Sequence, residues 1–339
     1  MTSTSLLLFA YNHEDFVEAA LMSAIRQDVT GYELIIVDDA STDRTRTIIQ
    51  EVLAREDTSG LKVTTLFHER NLGLLAAVNS GMALAAGEIL VMMAGDDISM
   101  PDRLRRTNAI LDQNPHVQLV YGEVEIIDSE GKILRPAPKG GVAKCLDYSR
   151  GPFGRIYAGA LPCGASAAYR RKLYDIFGPM RPGSHAEDNC YWIRALLLGA
   201  IWHDPACYIQ WRRHSANLSN FSVSSGAEWR ERHIASMLRH AGMSGQWLAD
   251  LEKARSLGLV SRWLAFRVRY AARREVVTWA LGCSSLRPDP WNKWLDLAWE
   301  MLKAGRLSTI FKMLNLRLFR SRREKAWQDL AKLQSNGPV

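Results

Sequence analysis

Apolar residues come first in short unbroken runs. SLLLFA (5–10), the LIIV core of YELIIVDDAS (32–41), LKVTTLF (61–67) and EILVMMAG (88–95) are too short for helices packed all round, and they predict buried strands. Between them the spacing changes. Phe16/Val17, Ala20/Leu21 and Ala24/Ile25 recur every four residues and mark one helix face. Asp43 stands where an N-cap belongs, ahead of Ile48, Ile49, Val52 and Leu53 at helical spacing. LLAAVNSGMALAAG (74–87) reads as a small-residue helix ending at Gly87. Ser99, Pro101 and Asp102 resemble a capping sequence with Pro in the first turn of a helix running to about Gln113.

Strands alternating with helices predict an α/β fold, a mostly parallel sheet with helices on both faces. The second half is less regular. VQLVYGEVEIIDSEGKIL (117–134) reads as a strand and a hairpin turning at 129–132, and the Gly- and Pro-rich stretch 135–162 as a flexible loop over the site. SAAYRRKLYDIFG (166–178) looks helical, as does HAEDNCYWIRALLLG (185–199), which places Glu187 and Asp188 in a first turn. CYIQWRRHSANLS (207–219) reads as a strand leaving into a loop. From about 226 to 335 the pattern is helical, with a boundary expected near 220–245. The expected organisation is a catalytic domain over 1–225, with halves of about 1–115 and 116–225, and a helical extension over 226–339.

Charge sharpens that division. The chain of 339 residues has a net charge of +7. Residues 246–339 hold 18 Lys and Arg against 8 Asp and Glu, a net of +10, which leaves −3 for the rest. Seven of the eleven tryptophans fall in the same segment. Such a segment suits three roles: contact with an anionic membrane surface through 246–335, a partner or homo-oligomer interface, or a cap over the catalytic domain. No nucleic-acid-binding motif accompanies the charge, so no nucleic acid is expected as partner. Five cysteines without a CxxC pair suggest reduced thiols in a cytoplasmic setting. The start lacks the basic region of a signal peptide, and no run of about 18 apolar residues predicts a membrane span.

Candidate chemistry collects at one edge. Tyr11/Asn12, Asp38/Asp39 and Asp96/Asp97 follow the first, second and fourth strands, and sheets of this kind bind ligands at the C-terminal ends of their strands. Adjacent carboxylates repel, and a hard divalent cation such as Mg²⁺ or Mn²⁺, shared with substrate phosphates, offsets that repulsion. Taken alone, an Asp-Asp pair also suits a helix start.

FAYNHEDFVEAALMSAIRQ, ELIIVDDASTDRT, ERNLG…GMALAAGEIL and AGDDISMPDRL, in this order, resemble the pattern of glycosyltransferase family 2 over about residues 5–220. The resemblance implies a GT-A fold, a nucleotide-sugar donor, a divalent metal (Mn²⁺ or Mg²⁺) and inversion at the anomeric carbon. It places Tyr11 and Asn12 in the nucleotide pocket, Asp39 against the pyrimidine ring with Asp38 beside it, and Arg70 against the base or diphosphate. Asp96 would face the ribose or a metal-bound water, and Asp97 the metal. Many members carry a further Asp two residues before this pair, where this chain has Ala94. The Glu187-Asp188 pair matches the family's Glu-Asp motif, which makes Asp188 the base that takes the acceptor proton. His214 is a candidate metal ligand, and Arg212 and Arg213 are candidates either for the diphosphate or for the surface. His185 and His203 read as structural.

The resulting expectation is a metal-dependent inverting glycosyltransferase using a UDP- or dTDP-sugar. Its acceptor would be a glycan or lipid-linked glycan in bacterial surface polysaccharide (O-antigen, capsule) synthesis, at the cytoplasmic face of the inner membrane. A sugar nucleotidyltransferase would need a Gly-rich phosphate loop that AYNHEDF lacks. A non-catalytic glycan- or partner-binding protein on the same scaffold is the alternative, and retention of Asp39, Asp96, Asp97 and Asp188 together weighs against it.

Overall fold

The computed structural model describes residues 3–146, 164–181, 184, 187–215, 217, 245–262, 264–266, 268–269, 295 and 298–299. The four apolar runs form β1 (Thr4–Ala10), β2 (Glu33–Asp38), β3 (Lys62–Phe67) and β4 (Ile89–Ala94). β1 runs parallel to both β2 and β4, and β3 pairs parallel with β2. Every residue of β1 is buried, so its sequence has no polar face to show. Leu6, Leu8 and Ala10 join one core cluster with Val17, Ala20 and Leu21 of α1 (Val17–Ile25) and Ile49 and Val52 of α2 (Thr45–Arg55). Leu7 and Phe9 face the other way, onto α3 (Leu74–Leu84). There a Cβ added to Gly81 would lie 2.8 Å from the Phe9 ring. Helices therefore cover both faces.

Two helix ends differ from expectation. α3 stops at Leu84 rather than Gly87, because the backbone beyond it is drawn onto the sheet. Ala86 N–H donates to the Glu33 carboxylate at 2.8 Å and Gly87 N–H to Ser5 Oγ at 2.9 Å. Arg44, not Asp43, takes the N-cap position of α2. The Asp43 carboxylate nonetheless accepts the Thr45 N–H at 2.9 Å and the Glu14 N–H at 3.0 Å, tying two loops together.

The remaining elements are β5 (Ile98–Ser99), α4 (Arg103–Gln113), β6 (Val117–Ile127), β7 (Ile133–Arg135), β8 (Lys144–Leu146), β9 (Ala167–Arg170), α5 (Lys172–Phe177), α6 (Glu187–Leu198) and β10 (Ala200–Arg212). The sheet order is β3-β2-β1-β4-β9-β6-β10-β5, with β7 on β6 and β8 on β10. The segment expected as one helix, SAAYRRKLYDIFG, splits into β9 and α5. β9 fills the slot between β4 and β6, antiparallel to both, with Tyr169 opposite Leu90 and Leu119. Two open strand edges need backbone partners, and that need outweighs the helix propensity of the Ala, Arg, Lys and Leu here. Arg170 fastens the end of β9 by donating to the carbonyls of Val117 (2.7 Å) and Leu111 (2.6 Å). The first half of the sheet is thus all parallel and the second half mixed. The 135–162 stretch begins with β7 and β8, and its later part lies outside the described residues.

The chain divides into two compact units. One comprises 1–151, 161–180 and 186–214 and holds the whole sheet. The other comprises 152–160, 181–185 and 215–339. In the second unit, residues 245–256 are helical, with Trp247, Leu251 and Ala254 buried, and Gln246 Oε1 accepts the Arg181 N–H at 2.9 Å. Most of the expected extension 226–339 lies outside the described residues, as does His185. Among the described residues Cys145, Cys190 and Cys207 form no disulfide. Among the described residues no helix is long and apolar enough to cross a membrane.

Close packing in the mixed half of the sheet gives a stability test. A Cβ on Gly122 of β6 would lie 2.3 Å from the buried Tyr208 ring of β10, whose hydroxyl is held by Asp204 at 3.0 Å. Gly122→Ala should lower unfolding stability by about 1–3 kcal/mol in denaturant titration, the usual cost of overpacking.

Candidate active site

The loops after β1 and β2 are laced together at the C-terminal edge. Asn12 and Ala40 both have positive φ, 55° and 60°. Asn tolerates that region, whereas for Ala it costs about 1–2 kcal/mol. Surrounding bonds hold the strain in place. Asn12 N–H donates to Ser41 Oγ (2.9 Å), Asn12 Oδ1 accepts the Thr42 N–H (2.8 Å), and Asp38 accepts both the N–H and the hydroxyl of Ser41. Asp38 is therefore the internal fastener of this edge. Tyr11 stands 41% exposed beside it, free to cover a ligand.

Asp39 is buried and already engaged. Its Oδ1 contacts His68 Nδ1 at 2.7 Å and accepts the Leu72 N–H at 2.9 Å, and its Oδ2 accepts the Gly73 N–H at 2.7 Å. His68 Nε2 meets Ser80 Oγ of α3 at 3.2 Å, so the ring bridges the carboxylate to a helix. With Nδ1 donating to Asp39, Nε2 accepts from Ser80. Asp39 thus anchors the 68–73 loop, on which Arg70 stands exposed. A carboxylate oxygen accepts two hydrogen bonds, so Oδ2 keeps one position for a ligand donor. His68 was not singled out in the sequence, because a histidine two residues ahead of Arg70 carries no spacing signal.

The third cluster is the Asp96-Asp97 pair with the end of β10. Asp96 Oδ2 lies 3.0 Å from His214 Nε2 and 3.8 Å from His13 Nε2. Asp97 is fully enclosed. Its Oδ1 accepts the Arg212 N–H at 2.9 Å, and its Oδ2 has no hydrogen-bond partner among the described residues. Burial, and then the neighbouring Asp96 charge, push the Asp97 carboxyl well above the usual carboxylate range. Burial also opposes ionising Asp96, but the His214 hydrogen bond and the charges of His13 and His214 outweigh it and hold this carboxyl low. Burial lowers His13 below the usual histidine value, against the opposing pull of the Asp96 charge. Gly95 makes room for His13: a Cβ there would lie 2.9 Å from Nδ1 of that ring.

Arg212 proves to be neither a surface residue nor a free phosphate clamp. Only 4% exposed, it donates to the carbonyls of Asp96, Asp128 and Ser129, each at 2.9 Å, and packs 5.0 Å from the Phe16 ring centre. It braces the carboxylate loop against the hairpin. Arg213 lies 5.5 Å from the centre of the Trp211 ring. His203 pairs with Glu123 at 2.9 Å, a structural contact between β10 and β6.

Glu187 and Asp188 open α6, as the pattern predicts. Asp188 Oδ1 accepts the Asn189 N–H at 2.7 Å. Both side chains retain some exposure, yet enough protein surrounds them that burial raises both carboxyls, Glu187 to about 8 with added repulsion from Asp188. Arg103, wholly buried in α4, links the two carboxylate pairs. Its charge lowers Asp97 and also reaches Tyr169, a β9 residue that feels the charges of Asp188 and Glu187.

The donor set fits a divalent cation. Oδ2 of Asp97 is a buried oxygen without a partner, and such a group costs about 1–3 kcal/mol unless something compensates it. A cation would supply that compensation and favour the ionised carboxylate. Beside it stand the Asp96 carboxylate and the His214 imidazole. Among the described residues no three His, Cys, Asp or Glu side chains are gathered at ligand spacing, so diphosphate and water would complete the shell, the usual arrangement for Mg²⁺.

A parallel sheet edge bears one carboxylate pair and is extended by a mixed half bearing a second, an architecture shared with solved glycosyltransferases. A solved structure with this fold, the mannosyltransferase PcManGT from Pyrobaculum calidifontis in complex with GDP-Man and Mn²⁺, superposes with a TM-score of 0.54 at 18% identity, covering 98% of this chain and 84% of that chain. The Glycosyl transferase family 2 profile matches residues 5–177, just over half of the chain, and the chain belongs to that family. An uncharacterised glycosyltransferase of Nostoc sp. is 26% identical, covering 73% of this chain and 74% of its own. The Escherichia coli UDP-Glc:alpha-D-GlcNAc-diphosphoundecaprenol beta-1,3-glucosyltransferase WfgD is 27% identical over 39% of this chain and 51% of its own.

Proposed function

We propose that this glycosyltransferase is metal-dependent and inverting, and moves a sugar from a UDP- or dTDP-sugar to a hydroxyl of a lipid-linked glycan in bacterial surface polysaccharide synthesis. The observation that carries the reading is the partnerless buried oxygen of Asp97 beside the Asp96–His214 pair. Asp97 and His214 would hold Mn²⁺ or Mg²⁺, with Asp96 alongside facing the ribose. When bound, the cation offsets charge gathering on the departing diphosphate. Tyr11, Asn12 and Arg70 line the nucleotide, and the spare acceptor position on Asp39 Oδ2 receives the pyrimidine N3–H.

Asp188 takes the proton of the acceptor hydroxyl as its oxygen attacks the anomeric carbon. The bond to the diphosphate breaks on the opposite face, so the configuration inverts. WfgD, by its name, uses UDP-Glc and a diphosphoundecaprenol-linked acceptor, which supports both a UDP-sugar and a lipid-linked glycan here. The charge of +10 and the seven tryptophans of 246–339 support contact with the anionic membrane surface that carries such an acceptor.

Donor turnover by the purified protein tests the reading. UDP- and dTDP-sugars are offered with a diphospholipid-linked acceptor, with Mn²⁺ or with EDTA. Transfer that needs Mn²⁺ and yields a product of inverted configuration is expected. Transfer undiminished in EDTA would remove the metal, and no transfer with any donor would favour the non-catalytic alternative.

A further inference from the structure

Gly164 opens a short 3-10 turn, Gly164–Ser166, that leads into β9. A Cβ built on Gly164 would lie 2.6 Å from Cβ of Asp188, 2.9 Å from its Oδ2 and 3.1 Å from its Cγ. Packed carbon atoms do not approach that closely, so only hydrogen fits between this backbone and the carboxylate. The turn has little freedom to withdraw. Arg103 donates to the carbonyls of Ala165 (2.8 Å) and Ala167 (3.2 Å) from one side and of Met92 (2.7 Å) on β4. Ser166 Oγ adds a bond to the Gly122 carbonyl at 3.0 Å. Asp188 is fixed as well, since its Oδ1 is tied to the Asn189 N–H and α6 is buried from Cys190 through Leu197. The oxygen set against Gly164 is the other one, Oδ2.

We propose that Gly164 is a positioning residue for Asp188: its bare backbone forms the wall that sets where Oδ2 stands, and Arg103 holds that wall against β4. The proposal rests on reading Asp188 as the base. A buried guanidinium that gives two bonds to the chain just after this glycine and a third to β4 is a rigid support, and rigidity is what a base needs to meet an acceptor hydroxyl. Displacing a reacting group by about 1 Å costs on the order of 100-fold in rate.

The test is a double-mutant cycle between Gly164→Ala and Asp188→Asn, reading kcat, donor KM, Mn²⁺-dependent UDP affinity and melting temperature. Gly164→Ala should lower kcat by about 100-fold with UDP affinity unchanged, and its melting temperature should fall only as far as local overpacking requires. The double variant should be no slower than Asp188→Asn alone, because both changes act on one group. Near-normal kcat in Gly164→Ala, parallel loss of UDP binding, or multiplicative losses in the double variant would each overturn the proposal. If Gly164→Ala does not accumulate as folded protein, Arg103→Lys, which keeps the charge but removes the Nη2 that reaches all three carbonyls, takes its place in the same cycle and the same outcomes decide. Full activity in Asp188→Asn would instead refute the base assignment itself, a result distinct from failure of the cycle.

Discussion

Asp97→Asn should abolish Mn²⁺-dependent nucleotide binding while leaving the fold at least as stable as before. In calorimetric titration with UDP or dTDP and Mn²⁺, affinity is expected to fall by roughly 100-fold or more, to the value wild type shows in EDTA. The physical reason is the division of labour within one carboxylate. Oδ1 accepts the Arg212 N–H, and Asn can keep that bond, whereas Oδ2 has no partner and supplies the negative charge a cation needs. The stability arm follows from the raised pKa of Asp97. A carboxyl whose pKa is higher in the folded than in the unfolded chain binds its proton more tightly when folded. Stability is therefore lost as pH rises from the unfolded value through the folded one. At neutral pH, where the unfolded carboxyl is ionised, burying it costs stability in the metal-free protein, and Asn removes that cost. The melting temperature without metal should rise or stay level, and added Mn²⁺ should raise it in wild type alone. A variant that binds UDP and Mn²⁺ normally would remove Asp97 from the site.

Asp188→Asn should lower kcat by about 10²–10⁴-fold, the usual contribution of a general base, with UDP affinity unchanged. Its neighbour sets the pH dependence. Burial raises both carboxyls, and repulsion from Asp188 helps carry Glu187 to about 8, so near neutrality Glu187 keeps its proton. A base works deprotonated, so kcat/KM should rise with pH through a limb above the ordinary carboxylate range. Glu187→Gln replaces the protonated neighbour with a neutral one of the same shape, so the limb should stay in place with the plateau rate kept. A limb that moves toward acid pH would mean that Glu187 is charged while Asp188 titrates.

The polar edge of the parallel half was legible in the sequence because it is local. A strand with both faces buried needs an unbroken apolar run, and a parallel sheet delivers the residues after each run to one edge. Asn12, Asp39, Asp96 and Asp97 could therefore be placed on that edge from order alone. Glu187 and Asp188 were legible as the first turn of a periodic helix. The partners of these residues were not legible. His68 reaches Asp39 across 29 positions and His214 reaches Asp96 across 118, and no spacing rule connects such pairs. The fate of the SAAYRRKLYDIFG segment shows the same limit from the side of propensity, since its strand exists only because β4 and β6 leave a gap of one strand's width.

By itself, then, the sequence determined the succession of buried strands and amphipathic helices and the residue types at their ends, since both follow from short-range periodicity and from the solvation of charge. Tertiary structure alone decided which carboxylate oxygen is left without a partner, which arginine is a buried brace, and why a glycine stands against Asp188. Those outcomes depend on distances between segments far apart in the chain, and only close packing sets such distances.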